Sequence, residues 1–177
     1  MRAVLSRELG AEIEVVDGTA ERIPLVAGAA DAVTVAQAFH WFDHPRALAE
    51  MHRVLRPGGG VALIWNVRDE NDPLHRAYAS AIRPYRGGAY PEQQVYAGAL
   101  VESELFEAVE EREFRHVQLL DADGLVARAA SVSFIASLPE GERASLLERV
   151  RALAPAGEFE FPYVTKVFTA LRQNRPR

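Results

Sequence analysis

The side chains best suited to chemistry fall in one stretch, Ala36-Gln37-Ala38-Phe39-His40-Trp41-Phe42. His40 carries an imidazole whose ordinary pKa of about 6.5 suits proton transfer at neutral pH. It serves either as a base for a hydroxyl or amine, or as a packing and hydrogen-bonding histidine. Ala36 and Ala38 are small enough to let backbone approach a ligand, and Gln37 offers both a donor and an acceptor. A second candidate is Asp17-Gly18-Thr19-Ala20-Glu21, which also reads as a plain tight turn with Glu21 solvated.

Several familiar chemistries find no support. The chain has no cysteine, which removes disulfides, thiol catalysis and zinc thiolates. His40, His44 and His52 lack the HExxH spacing, so no metal is expected. Gly58-Gly59-Gly60 is followed by no Lys-Ser/Thr and leads into a strand, so it reads as a turn and not as a phosphate loop. No Gly-x-Ser-x-Gly elbow occurs. A nicotinamide reductase would need Gly-x-Gly-x-x-Gly and Tyr-x-x-x-Lys, and neither is present. Arg46, Arg53 and Arg56, with Glu50 among them, read as a solvated helix face.

The elements that must hold these residues alternate between strand and helix. Met1 to Leu9 reads as a short helix, Glu12 to Val16 as a strand running into a turn at Asp17-Gly18, and Asp31 to Ala36 as a second strand buried on both faces. Pro45 to Arg56 has the apolar stripe Leu48, Met51, Val54 and Leu55 of an amphipathic helix. Pro57-Gly58-Gly59-Gly60 then turns the chain into a strand over Val61 to Asn66, which completes a βαβ unit with a parallel sheet. Leu74 to Ile82 reads as helix, and Pro84 to Gly98, with Tyr85, Tyr90 and Tyr96, as a loop. Glu113 to Leu120 is a strand candidate, and Asp121 to Leu138 a helical region broken near Ser131 to Ser133. Pro139 to Ala154 reads as a helix with a capping box at Ser137-Leu138-Pro139-Glu140 and a stripe of Leu146, Leu147, Val150 and Leu153. Tyr163 to Phe168 reads as the last strand.

Three motifs stand in order: Asp17 to Leu25, Asp31 to Phe42, and Ala47 to Gly59 with its Arg53-Val54-Leu55-Arg56-Pro57-Gly58-Gly59 ending. Together they resemble the small-molecule branch of the class I S-adenosylmethionine-dependent methyltransferases, of the methyltransferase type 11 kind. The resemblance implies an α/β fold, a Rossmann-like doubly wound sheet with antiparallel C-terminal strands. It places Thr19, Ala20 and Glu21 at the adenine, and Ala36, Gln37 and Ala38 at the methionine and ribose of S-adenosylmethionine. His40 would sit beside the sulfonium as a catalytic base, with Phe39 and Trp41 offering aromatic faces to cation and substrate. Tyr78, Tyr85 and Phe134 would line the acceptor space, and residues 72–110 form a helical and loop insertion over it.

The glycine-rich first turn of that family, with the strand-helix-strand unit that carries it, does not occur in this sequence. The chain therefore reads as a single, incomplete, N-terminally truncated domain over 1–177 whose cofactor binding is weakened or lost. The absent strands would lie between those at Glu12 to Val16 and Asp31 to Ala36, leaving unpaired edges that predict a homo-oligomer. The competing reading is a truncated pseudo-methyltransferase acting as a non-catalytic binding or assembly module.

Composition bounds the remainder. The 177 residues are 49% hydrophobic and 25% charged, ordinary for one globular domain. A net charge of -5 disfavours nucleic acid and anionic membranes. With no signal-like or spanning segment, a cytoplasmic protein acting on a small-molecule acceptor is expected.

Overall fold

The structure, a computed structural model, describes residues 2–9, 13–69, 71–86 and 97–174. Its elements are α1 (Arg2–Leu9), β1 (Ala30–Ala36), α2 (His44–Val54), β2 (Leu55–Arg68), α3 (Pro73–Ile82), α4 (Gly98–Val101), β3 (Glu110–Leu120), α5 (Ala122–Ala130), α6 (Ser133–Ala136), α7 (Glu140–Arg151) and β4 (Phe159–Leu171). The strands form one sheet in the order β1-β2-β4-β3. The expected βαβ unit is present: β1 and β2 pair in parallel, in register from Ala32 with Gly60 to Ala36 with Ile64. No described helix is long and apolar enough to cross a membrane.

The chain forms two compact units, the first built from residues 1–64, 95–111 and 168–177, the second from 65–94 and 112–167. In the first, α2 turns Ala47, Leu48, Met51 and Val54 inward, among the buried side chains that also include Val35, Val61 and Leu63. Asp43 caps α2 by accepting from the Arg46 amide at 3.3 Å, and Pro45 occupies its first turn. In the second, Tyr78, Ile82, Leu125, Ala129, Ile135, Leu146, Val150, Phe161 and Tyr163 form one apolar cluster. Asp72 and Asp121 cap α3 and α5 through the amides of His75 and Gly124, each at 2.8 Å.

Several expectations are corrected. Glu12 and the loop residues 87–96, with Tyr90 and Tyr96, lie outside the described residues, but Ile13 to Val16 are irregular backbone, not strand. Alternating β-branched residues make a strand only when a neighbour takes up their hydrogen bonds, and no described strand pairs with this segment. The tight turn is not at Asp17-Gly18 but at Thr19 to Arg22, which bridge each other; a Cβ on Gly18 would meet the Pro24 ring at 2.7 Å. β1 is buried at Val35 and open at Asp31, Ala32, Thr34 and Ala36, because it lies at one end of the sheet.

The helix of the βαβ unit ends at Val54, and the glycine cluster lies inside β2, not ahead of it. There β2 advances from Leu55 to Gly60 while β1 advances only from Ala30 to Ala32, a bulge that Gly58 makes possible at φ 77°. The capping box is absent: α7 starts at Glu140 with Pro139 as its N-cap, and the Ser137 hydroxyl donates instead to the Ser133 carbonyl at 2.9 Å.

Of the arginines read as a solvated face, Arg46 and Arg56 are exposed, Arg56 pairing with the exposed Asp31, whereas Arg53 departs from that reading. Arg53 grips Glu50 with Nε and Nη2, each at 2.7 Å, and the same Nη2 donates to the carbonyls of Ile23 at 3.1 Å and Leu25 at 2.8 Å. Glu50 in turn accepts the Ile23 amide at 2.9 Å, and the Gly28 amide donates to the Arg53 carbonyl at 3.0 Å. The irregular segment before β1 is thereby fastened to α2.

Two sets of variants test these constraints. A methyl group in Gly59→Ala would stand 2.7 Å from the Asp31 carbonyl oxygen and 3.0 Å from that of Arg56. The overpacking should remove about 1–3 kcal/mol. Gly141→Ala meets nothing within 4 Å and should gain up to about 1 kcal/mol of helix propensity. Urea unfolding beside the parent chain checks the opposite signs. The Arg53 guanidinium, with help from the Ile23 amide and against the effect of burial, holds the Glu50 carboxyl at about 2. A folded-state value below the unfolded one gives stability that is complete above about pH 5 and lost as pH falls toward about 2. The stability difference between parent and Glu50→Gln should be widest near neutrality and shrink across that window; a difference independent of pH would contradict it.

Candidate functional site

In the first unit, the chain leaving β1 and the hairpin at Thr19 to Arg22 are brought together. Thr19 donates its amide to the Arg22 carbonyl at 3.2 Å, and Arg22 returns the bond at 3.1 Å. This presents Ala20 and Glu21 at the tip. Glu21 Oε1 accepts the Asp43 amide at 3.0 Å, which ties the hairpin to the start of α2. The Asp43 amide, then its own backbone amide and the Thr19 hydroxyl, hold the Glu21 carboxyl below the usual carboxylate range.

At the end of β1, Gln37 has φ 55°, and among the described residues no other non-glycine has a positive φ. Its amide still reaches the Ile64 carbonyl at 3.0 Å, so the left-handed turn is anchored to β2. A non-glycine residue held there costs of order 1 kcal/mol and marks a place where the chain is bent for a purpose. Ala36 and Gln37 are exposed and Ala38 is half-buried, so the backbone at this turn is open to a ligand.

A short 3-10 helix, Phe39–Trp41, follows. Phe39 is only 1% exposed, stacked on His44 at 4.6 Å between ring centroids and edge-on to Phe42 at 6.0 Å, which makes it a packing residue. His44 Nε2 lies 3.1 Å from the Phe39 carbonyl oxygen and completes that support. Trp41 is 64% exposed, and His40 sits beside it at 4.6 Å on the open side. Partial burial pushes the His40 imidazole below its ordinary value, so the ring is neutral at pH 7 and able to accept a proton.

Tyr78, Tyr85 and Phe134 belong to the second unit. Tyr78 is fully buried in its apolar cluster, Phe134 packs against that cluster, and Tyr85 accepts a hydrogen bond from Arg149 at 2.7 Å. A cavity of about 410 Å³ in the first unit is lined by Ala32, Val61, Ala62, Glu107, Ala108 and Leu171 among others, and none of the expected site residues borders it. No group of three or more histidines and acids able to hold a metal occurs among the described residues.

Sequence reasoning missed Glu50, Arg53 and Asp43 as supports of the site. The signal was present: Glu50 and Arg53 stand three apart on one helix, and Asp43 precedes Pro45 as a helix cap would.

Residues 1–63 match the methyltransferase domain family. An uncharacterized methyltransferase of Mycobacterium tuberculosis is 38% identical over 155 residues, which cover 84% of this chain and 61% of that protein. The chain therefore spans less than two thirds of that relative's length. Among solved structures, a protein of Anaeromyxobacter dehalogenans assigned as a type II methyltransferase superposes with a TM-score of 0.60 at 22% identity, over 90% of this chain and 71% of its own. A methyltransferase assigned to an antibiotic biosynthesis pathway of Anabaena variabilis reaches 0.60 at 18% identity, over 89% and 73%. In sequence over residues 1–63 and in fold, the chain is similar to methyltransferases.

Proposed function

We propose that this chain takes part in S-adenosylmethionine-dependent methyl transfer to a small-molecule acceptor. The observation that carries the reading is the strained Gln37 turn at the carboxyl end of β1, beside a hairpin whose Glu21 is tied to the same loop by the Asp43 amide. Ligands of open α/β sheets bind beyond the carboxyl ends of the strands, which is where both segments stand. Ala36 and Ala38 leave room for close backbone approach, and the hairpin offers Thr19, Ala20 and Glu21 to an adenine and ribose; the residues present fit the cofactor. When bound, S-adenosylmethionine supplies an electrophilic methyl group on a sulfonium. His40, neutral and open to solvent, takes the proton of a hydroxyl or amine acceptor, and Trp41 gives the neighbouring cation an aromatic face. The remainder is alignment, which the anchored loops provide. A cytoplasmic setting and self-association through the outer edge of β1, which lies at one end of the sheet, complete the reading.

Calorimetric titration of the intact chain with S-adenosylhomocysteine should give one-to-one binding. Gln37→Gly relieves the left-handed strain and deletes the amide; it should leave stability equal or higher while weakening that binding by about tenfold. Absence of binding to the folded chain would refute the reading and leave a non-catalytic binding or assembly module.

A further inference from the structure

Every buried side-chain polar atom without a hydrogen-bond partner among the described residues belongs to one of five side chains of the second unit: Arg68, His75, Tyr78, Arg128 and Tyr163. They come from four elements, β2, α3, α5 and β4, and they converge. The Arg68 guanidinium carbon lies 5.1 Å from the centre of the Tyr78 ring, and that of Arg128 lies 5.0 Å from the Tyr163 ring. The His75 ring stacks on Phe161 at 3.7 Å and stands edge-on to Tyr163 at 5.2 Å. Tyr78, His75 and Tyr163 are buried, whereas Arg68 and Arg128 are half-buried and so form the end of the cluster nearer solvent.

Among the unmet atoms donors outnumber acceptors. Each arginine Nε only donates, whereas each tyrosine hydroxyl and a neutral imidazole bring one proton and can also accept. Even with the Tyr78 oxygen turned to Arg68 and the Tyr163 oxygen to Arg128, the protons that remain exceed the acceptors. Neither arginine forms an ion pair with an acid among the described residues. Asp72, whose charge reaches His75, is engaged in capping α3. Burial, more than any neighbour, lowers the readiness of Arg68 to stay charged, and Arg128 adds to the effect. Burial pushes the Tyr78 and Tyr163 hydroxyls up while both guanidinium groups pull the other way, so the field of each arginine reaches both rings. Unpaired buried donors are costly, and two neighbouring cations without an anion more so. Water alone could satisfy the donors and would still leave the two guanidinium groups without a counter-charge among the described residues.

We propose that Arg68, Arg128, Tyr78, Tyr163 and His75 form a binding site for a compact oxyanion, a carboxylate or phosphate carried by a small molecule. Its several lone pairs supply the absent acceptors, its charge balances the two guanidinium groups, and the planar forks of arginine match its geometry. Phe161 and the tyrosine rings wall the site and exclude water, which strengthens each bond. The site stands whether or not the first unit binds S-adenosylmethionine.

The test is calorimetric titration of the intact chain with sodium malonate and, separately, with inorganic phosphate, at ionic strength fixed with sodium chloride. Saturable one-to-one binding of at least one probe is expected. Preference for malonate identifies a carboxylate ligand, and preference for phosphate a phosphorylated one. Arg68→Gln and Arg128→Gln should each weaken binding by about tenfold or more, since each removes a charge-assisted contact. Should the arginine variants lose their circular dichroism, the double variant Tyr78→Phe/Tyr163→Phe decides, because it keeps both rings and both charges and should still bind several-fold more weakly. Failure of both probes to bind the folded parent chain overturns the proposal. So does affinity left unchanged in the folded arginine variants or in the tyrosine double variant.

Discussion

The first unit depends on what Arg53 does with its guanidinium. The segment that precedes β1 has no strand or helix between Ile13 and Ala29, and Leu25 and Val26 are exposed, so apolar burial contributes little there and hydrogen bonds must position it. An exposed ion pair three residues apart on a helix is by itself worth no more than about 1 kcal/mol. Arg53 is different because Glu50 holds it with two bonds while it caps the carbonyls of Ile23 and Leu25, and Glu50 caps the Ile23 amide. Charge-assisted bonds to backbone groups that would otherwise face solvent fix a geometry as well as an energy. Arg53 thus converts an irregular stretch into a positioned one.

Positioning has a chemical consequence. With residues 23–25 fastened to α2, the hairpin at Thr19 to Arg22 meets the start of the same helix, and Glu21 closes the arrangement on the Asp43 amide. On the other side of that loop, the chain bends through the left-handed Gln37, which Ile64 anchors and buried Phe39 and His44 support. Backbone strain persists only where surroundings over-determine it, and here they do so beside open, small residues. The second unit shows the opposite economy, with rings and guanidinium groups drawn inside and their donors left unmet.

How much of this was legible in the sequence depended on whether the deciding forces were local. Helix α2 could be read because its stripe and its first-turn proline lie within a dozen residues, and β2 because an apolar run after glycines has few other fates. The hairpin's position was misread by two residues, since Gly18 is required by the distant Pro24 ring and not by a turn at its own position. Ile13 to Val16 have strand propensity without a strand, because pairing is a property of the neighbour. The residues expected at the cofactor lie on two segments of the first unit, the hairpin and the turn after β1; Phe39, expected at the substrate, is a buried packing residue, and Arg53, read as solvated, is bonded to Glu50 and to backbone carbonyls. Arg68, His75, Arg128 and Tyr163 escaped notice as a cluster, as their separation along the chain hides a convergence that only tertiary packing creates.

The most direct measurement is amide hydrogen exchange, followed by mass spectrometry, of the intact chain with and without S-adenosylhomocysteine. Protection confined to the hairpin around residues 19–25 and to the turn around residues 36–42 is the expected result. A folded chain in which the ligand leaves both segments unprotected, or protects others in their place, would contradict a cofactor site built on the Arg53-anchored hairpin and the Gln37 turn.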